Sequence, residues 1–328
     1  MGRATSAGED LLVAVVVATR DRRARLQDLL EALERQTLDS ASYEVVVVDD
    51  ASTDGTERLL AEAARSDAMS LRVIRRDRRG GPAVAREEGW RSAAAGAIAF
   101  TDDDCVPAPD WLERGLDAMR RNGGAIVQGS TEPTPSELAA RGPFSRVVRI
   151  TELDPSFQTC NLFYPRALLE RVGGFDTEGF GPAPGGEDSD LAWRAIKAGA
   201  VAIFEPTALV HHAVERGDAV ARLRYATRWT TPMLAYARHP ELRRAHFVKG
   251  VFWKGSHYLL IRALCALVVP RRLRWLRPWL AGPYLVTMPA RLRADGASPL
   301  LVPYYVAYDL VEISMVLRAA LRYRRLML

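Results

Sequence analysis

The chain has 328 residues, enough for one large α/β domain or a domain with a sizeable appendix, and its 48% apolar composition argues against disorder. A net charge of +5 conceals an asymmetry, because residues 1–214 carry net −9 and residues 215–328 net +14; two regions with different partners are expected. Three scattered cysteines, Cys105, Cys160 and Cys265, suggest neither a disulfide framework nor a cysteine-based zinc site, and fit a reducing cytoplasm.

Leu11 to Thr19 (LLVAVVVAT) is a continuous branched run of the kind buried on both faces of a parallel sheet. It is too short, and lacks the charged start and cleavage site, for a signal sequence. Leu26, Leu29, Leu30 and Leu33 then recur at helical spacing, and a second strand, Tyr43 to Val48, closes on Asp49-Asp50. The turn Ala51 to Gly55 leads to a helix with Leu59, Leu60, Ala63 and Ala64 on one side, then a third strand, Leu71 to Ile74. Pro82 opens the next helix, where its missing N–H costs nothing, and Gly96 is expected to close it. A fourth strand, Ala97 to Thr101, runs into three aspartates, followed by a helix to Arg121 and a strand, Ala125 to Gly129. This alternation predicts an α/β fold with an open, mostly parallel sheet flanked by helices.

Thr131 to Pro155, with Pro133, Pro135 and Pro143 inside it, is expected to be irregular and to cross the active face. A short strand and a helix over 166–172 follow, and then a glycine-rich loop, GFGPAPGG (179–186), immediately before Glu187-Asp188. Leu191 to Ala198 reads as a helix and Val201 to Phe204 as a strand, succeeded by Pro206 and His211-His212. The expected domains are therefore 10–214 and a basic, helical extension over 215–328. That extension holds four of the seven tryptophans, and its apolar blocks are interrupted by Arg262, Asp309 and Glu312. No uncharged run reaches the roughly 18–20 residues that cross a bilayer, so these blocks read as amphipathic helices suited to an anionic membrane surface. No nucleic-acid motif accompanies the charge.

Ligands of open α/β sheets bind outside the carboxyl ends of the strands. Two such ends here carry acids: Asp49 and Asp50 after the second strand, and Asp102, Asp103 and Asp104 after the fourth. A lone acidic pair is as readily a helix cap or a solvated turn. Two acids spaced by two in an extended segment emerge on one side, which suits a hard divalent cation, Mg²⁺ or Mn²⁺.

The chain resembles the family 2 glycosyltransferases of GT-A fold. The matching segments are VVVATRDR (15–22), VVVVDDASTDGT (45–56), RGGPAVAREEG (79–89), FTDDDC (100–105), LLERVGGFD (168–176) and GGEDSDLAWR (185–194), in the family's order. The resemblance implies that Asp49 and Asp50 hold the base and ribose of a nucleotide-diphosphate sugar, with UDP-sugars favoured. Thr19 would approach the nucleotide through its backbone, and Arg86, Asp103 and Glu187 would shape the nucleotide-sugar site. The family's DXD motif falls on Asp102 and Asp104 as metal ligands, and His212, 24 residues beyond Asp188, would complete the metal shell, with His211 as the fallback. Asp188 would be the general base of an inverting transfer. The family's aromatic-Asn pair after Thr is here Arg20-Asp21, which leaves the base preference open.

The implied acceptor is a glycan or a lipid-linked group, in cell-envelope glycan or glycolipid synthesis. The implied location is cytoplasmic, peripheral on the inner face of the membrane. One rival is a sugar-phosphate nucleotidyltransferase, but ATRDRRAR lacks the glycine-rich loop such enzymes carry after the first strand. The other is a non-catalytic nucleotide-sugar binding module, which intact Asp102, Asp104 and Asp188 disfavour.

Overall fold

The computed structural model describes residues 11–66, 68–183 and 185–328. They form two compact units: residues up to Leu138 with Val147–Ala213, and Ala139–Arg146 with Val214–Leu328.

In the first unit, β1 (Val13–Thr19), α1 (Arg23–Glu34), β2 (Tyr43–Asp49), α2 (Thr56–Ala63), β3 (Ser70–Arg75), α3 (Pro82–Ser92) and β4 (Ala97–Asp102) follow the expected alternation. After them come β5 (Cys105–Pro107), α4 (Trp111–Arg121), β6 (Ile126–Pro133), α5 (Pro135–Ala139), β7 (Asn161–Pro165), α6 (Arg166–Val172), α7 (Thr177–Phe180), α8 (Glu187–Lys197) and β8 (Ala202–His212). One sheet results, in the order β3-β2-β1-β4-β7-β6-β8-β5. Its first four strands are parallel, while β7 runs antiparallel to both β4 and β6, and β5 antiparallel to β8. Apolar layers cover both faces: Leu26, Leu33, Trp111 and Phe163 on one, Trp90, Phe100, Tyr164 and Leu191 on the other. Burial on both faces is why β1 and β2 are unbroken branched runs rather than alternating ones.

Three local features differ from the sequence expectation. Helix α3 ends at Ser92, before Gly96, because the Arg166 guanidinium caps its last turn, donating to the carbonyls of Trp90 (3.1 Å), Ala93 and Ala95 (2.9 Å). Strand β6 continues to Pro133, and α5 follows, so the irregular stretch is shorter than expected. Strand β8 runs through Pro206 and includes both histidines. It pairs with β6 in parallel, with a register shift between Gly129 and Thr131.

Asn161 holds this irregularity together. Its amide donates to the carbonyls of Ser130 and Ala208, both at 2.8 Å, and accepts from the Trp111 indole at 2.9 Å. A Cβ on Gly129 would lie 2.2 Å from the Ala208 carbonyl oxygen, so only glycine fits there. Asn161→Ala is expected to leave three buried polar groups without partners and to lower stability by at least about 3 kcal/mol. Urea denaturation followed by tryptophan fluorescence measures this.

The second unit is helical: α9 (Ala219–Ala226), α10 (Met233–Arg238), α11 (Pro240–His246), α12 (Gly255–Val268), α13 (Arg277–Ala294) and α14 (Val302–Tyr323). Leu260, Tyr284, Met288, Leu292, Tyr305 and Ile313 form its core. One helix, Pro299–Tyr323, is long and apolar enough to cross a membrane by length and composition alone. Its two fully buried carboxylates are neutralised inside the unit. Asp309 accepts from Arg291 at 2.7 and 2.9 Å and from Tyr284 at 3.0 Å, and Glu312 accepts from Lys254 at 2.7 and 2.8 Å. An uncompensated carboxylate there would cost several kcal/mol.

Candidate active site

The carboxyl ends of β1, β2 and β4 meet at one edge of the sheet because these strands are parallel neighbours. At that edge the Asp50 amide donates to the Thr19 carbonyl at 2.9 Å, and the Thr19 hydroxyl donates to Asp103 Oδ2 at 2.8 Å. The Thr19 backbone thus reaches the edge, but its carbonyl already has a donor.

Asp49 is fully buried, accepting from the Ser52 amide at 2.9 Å and from Arg75. Asp50 accepts from the amides of Gly80 (2.7 Å) and Gly81 (2.8 Å) and from Arg76 Nε (3.1 Å). Gly81 has a φ of +87°, and a Cβ there would lie 2.6 Å from the Pro182 Cα. Glycine therefore lets the loop before α8 lie against the start of α3.

Asp102 ends β4, whereas Asp103 and Asp104 form a turn into β5. The extended segment expected from the sequence is thus absent: Asp102 pairs with Arg86, while Asp103 and Asp104 share Arg22. Asp102 Oδ1 accepts from Arg86 at 2.7 Å. Asp103 is buried between Thr19 and Arg22, with Arg22 Nη1 at 3.3 Å, and Asp104 Oδ2 accepts from the same Nη1. Burial pushes Asp103 up to about 7, against the pull of Arg22.

Arg86 joins two separated segments. From α3 its buried guanidinium reaches Asp102 with Nη2 and Glu187 Oε1 with Nη1 at 3.0 Å. Burial alone would lower its pKa, but the facing Asp102, Glu187 and Asp188 outweigh this and hold it above the ordinary value. Burial likewise opposes the charge on Asp102, and the facing Arg86 guanidinium overcomes it, keeping that carboxyl below its usual range.

Glu187 and Asp188 open α8, whose N-terminus favours acids on dipole grounds alone. The geometry separates their roles. Glu187 is buried, held by Arg86 and by the Gly185 amide at 2.7 Å. Asp190 pairs with Arg194 at 2.8 Å within α8, and Arg194 also donates to the Val172 carbonyl at 2.7 Å. Asp188 is half-buried and takes the Ser189 amide at 2.8 Å on Oδ1. Burial and the neighbouring Glu187 push its carboxyl up to about 7, opposed by Arg86 and the Ser189 amide.

The antiparallel register of β5 and β8 sets Cys105 opposite His212. His212 Nε2 lies 3.5 Å from Asp104 Oδ1, a buried oxygen without a hydrogen-bond donor. His212 Nδ1 is 2.8 Å from the Ala213 carbonyl, so Nδ1 carries the hydrogen in the neutral ring and Nε2 turns a lone pair toward Asp104. Two acceptors facing each other fit a shared cation. The ligand atoms of Asp104, Cys105 and His212 all lie within 4.8 Å of one another. Cys105 suits a metal least: burial raises its thiol pKa, and Sγ points at the Cys160 carbonyl at 3.8 Å. His211 is outside this cluster.

The structure therefore links Asp102, Glu187 and Asp188 around Arg86, pairs Asp104 with His212, and places Thr19, Asp49, Asp50 and Asp103 along the same strand ends. Sequence reasoning missed Arg22, Arg75 and Arg76, which hold Asp103 and Asp104, Asp49, and Asp50. Their positions at or just past the ends of β1 and β3 were the available signal.

Comparison with known proteins bears on the family and the fold. The profile described as "Glycosyl transferase family 2" matches residues 14–176. Glycosyltransferase AglE of Haloferax volcanii is 30% identical over 169 residues, 50% of this chain and 55% of that protein. Validoxylamine A glucosyltransferase of Streptomyces hygroscopicus subsp. jinggangensis is 31% identical over 218 residues, 56% of this chain and 51% of that protein. The chain spans about half the length of these curated relatives. Mannosyltransferase PcManGT of Pyrobaculum calidifontis, solved with GDP-Man and Mn²⁺, superposes with a TM-score of 0.62 at 23% identity, covering 96% of this chain and 89% of that one, and so shares the GT-A fold. By motif order, sheet topology and the family profile, this chain belongs to glycosyl transferase family 2.

Proposed function

We propose that this chain is an inverting, metal-dependent glycosyltransferase that moves a sugar from a nucleotide-diphosphate donor to an acceptor hydroxyl. The observation that carries the reading is the convergence of Asp102 and Glu187 on Arg86, with Asp188 beside them and Asp104 facing His212. The donor's base and ribose lie at the ends of β1 and β2, beside Thr19, Asp49 and Asp50. Asp102, pinned through Oδ1, lines the sugar side together with Glu187.

Asp104 and His212, with Asp102 adjacent, would hold Mg²⁺ or Mn²⁺, which supplies positive charge to the leaving diphosphate. Asp188 accepts the proton of the acceptor hydroxyl as its oxygen bonds to the anomeric carbon. The bond from that carbon to the β-phosphate oxygen breaks on the opposite face, and the nucleoside diphosphate leaves with the electron pair. The mostly protein-held partners of Asp49 and Asp50 supply a preformed edge rather than one that must fold round the donor. UDP-sugars are the first donors to try and lipid-linked glycans the first acceptors. The buried free thiols of Cys105 and Cys160 suit a reducing compartment such as the cytoplasm.

Incubation with Mn²⁺ or Mg²⁺ and a panel of UDP-, GDP- and dTDP-sugars tests the reading. Slow release of nucleoside diphosphate is expected. Release of pyrophosphate or monophosphate would favour a nucleotidyltransferase, and donor binding without turnover a binding module. Asp104→Ala is expected to weaken Mn²⁺ binding more than tenfold, and His212→Ala about tenfold, as read by Mn²⁺ electron paramagnetic resonance without donor. Unchanged Mn²⁺ affinity in both variants would remove these residues from the ion site.

A further inference from the structure

In the second unit, α12 and α13 pack as a hairpin through Leu260, Tyr284 and Met288, closed where Arg262 donates to the Trp279 carbonyl at 2.9 Å. Residues 269–276 form its tip, including a short 3₁₀ turn over Arg271–Leu276. The tip and the helix ends that flank it carry side chains that water disfavours: Leu267 is 76% exposed, Val268 81%, Trp275 63% and Trp279 73%. Val286, 77% exposed, lies seven residues beyond Trp279 and so on the same face of α13. Exposed tryptophan pairs are uncommon on a surface that meets only water.

The charge around this apolar cap has one sign. Residues 242–294 contain eleven arginines and lysines and no aspartate or glutamate. Arg271, Arg272 and Arg274 are exposed, interleaved with Leu273 and Trp275, and have no acidic partner among the described residues. Arg277 is tied to the Val269 carbonyl at 2.9 Å and fixes the turn. An apolar wedge ringed by unpaired guanidinium groups complements one partner chemistry: acyl chains capped by phosphate. We propose that the α12–α13 tip is the docking surface of this protein for an anionic lipid bilayer, with Trp275, Trp279, Leu267 and Val268 entering the interface and Arg271, Arg272 and Arg274 meeting lipid phosphates.

The full chain is tested by co-sedimentation with vesicles of pure phosphatidylcholine and with vesicles containing 30% phosphatidylglycerol. Each arginine at an anionic surface contributes about fivefold in partitioning, so Arg271→Gln/Arg272→Gln/Arg274→Gln is expected to reduce binding to the anionic vesicles about a hundredfold. Wild-type binding should fall with salt and be weak on phosphatidylcholine. Trp275→Ala/Trp279→Ala should reduce binding at least tenfold and abolish a vesicle-induced blue shift of tryptophan fluorescence. All these positions are exposed, and unchanged circular dichroism and thermal midpoint confirm folding. Equal binding to both vesicle types, no binding, or tip variants that bind like wild type would overturn the proposal. So would wild-type dimers that become monomers in the tip variants, which would make the tip a self-association surface. None of these readouts depends on donor or acceptor, so the result stands apart from the transferase reading.

Discussion

Asp188→Asn is expected to lower the transfer rate about 10²- to 10⁴-fold while leaving donor affinity within about twofold of wild type. Asparagine keeps the side chain's size and its acceptor for the Ser189 amide, and α8 retains Glu187 in its Arg86 contact. What is lost is a group able to take a proton. The wild-type pH profile gives an independent reading. A base works only when ionised, and burial and Glu187 raise the Asp188 carboxyl to about 7. Transfer at low substrate should therefore fall as pH drops below about 7, roughly tenfold per unit, rather than below the ordinary carboxylate range near 4. Full transfer by Asp188→Asn, or a profile flat from pH 8 to 5, would reject Asp188 as the base.

How far this site could be read from sequence depends on what each residue is held by. The branched runs of β1 and β2 and the acids at strand ends announce the sheet and its functional edge, because burial on both faces leaves no other pattern open to those strands. His212 required the family resemblance, since the side chain that gives it meaning, Asp104, lies more than a hundred residues away and meets it only through the pairing of β5 with β8. The turn at Asp103 and Asp104 was hidden for a different reason. Its geometry is set by the buried contact of Asp103 with Thr19 and by Arg22 from the start of α1, and no local spacing encodes those. The antiparallel β7 and the long β8 were also illegible, because Asn161 and the shift after Gly129 fix them through contacts distant in sequence. Local pattern specified elements, and long-range polar contacts specified the site.

Arg86→Met should show which of those contacts is structural as well as functional. Methionine fills much of the arginine's volume but leaves Asp102 and Glu187 facing each other without the guanidinium that each now accepts from. Removing one partner of a buried ion cluster typically costs about 3–5 kcal/mol. The loss should depend on pH in a definite direction. Arg86 holds the Asp102 carboxyl below its usual range, so the stabilisation it provides is present above the unfolded pKa near 4 and is lost as pH falls through the folded value. The stability gap between wild type and Arg86→Met is thus expected to be largest at pH 7–8 and to narrow below pH 4, where protonated carboxyls no longer need a counter-charge. Urea denaturation at pH 8 and pH 3.5 measures both limbs. Arg86→Lys, which keeps the charge but not the two-pronged reach, should fall between the two, because a single ammonium cannot serve Asp102 and Glu187 with the same geometry. A loss below about 1 kcal/mol at pH 8 would mean that the two carboxylates find other partners, and that the link between β4 and α8 does not run through Arg86.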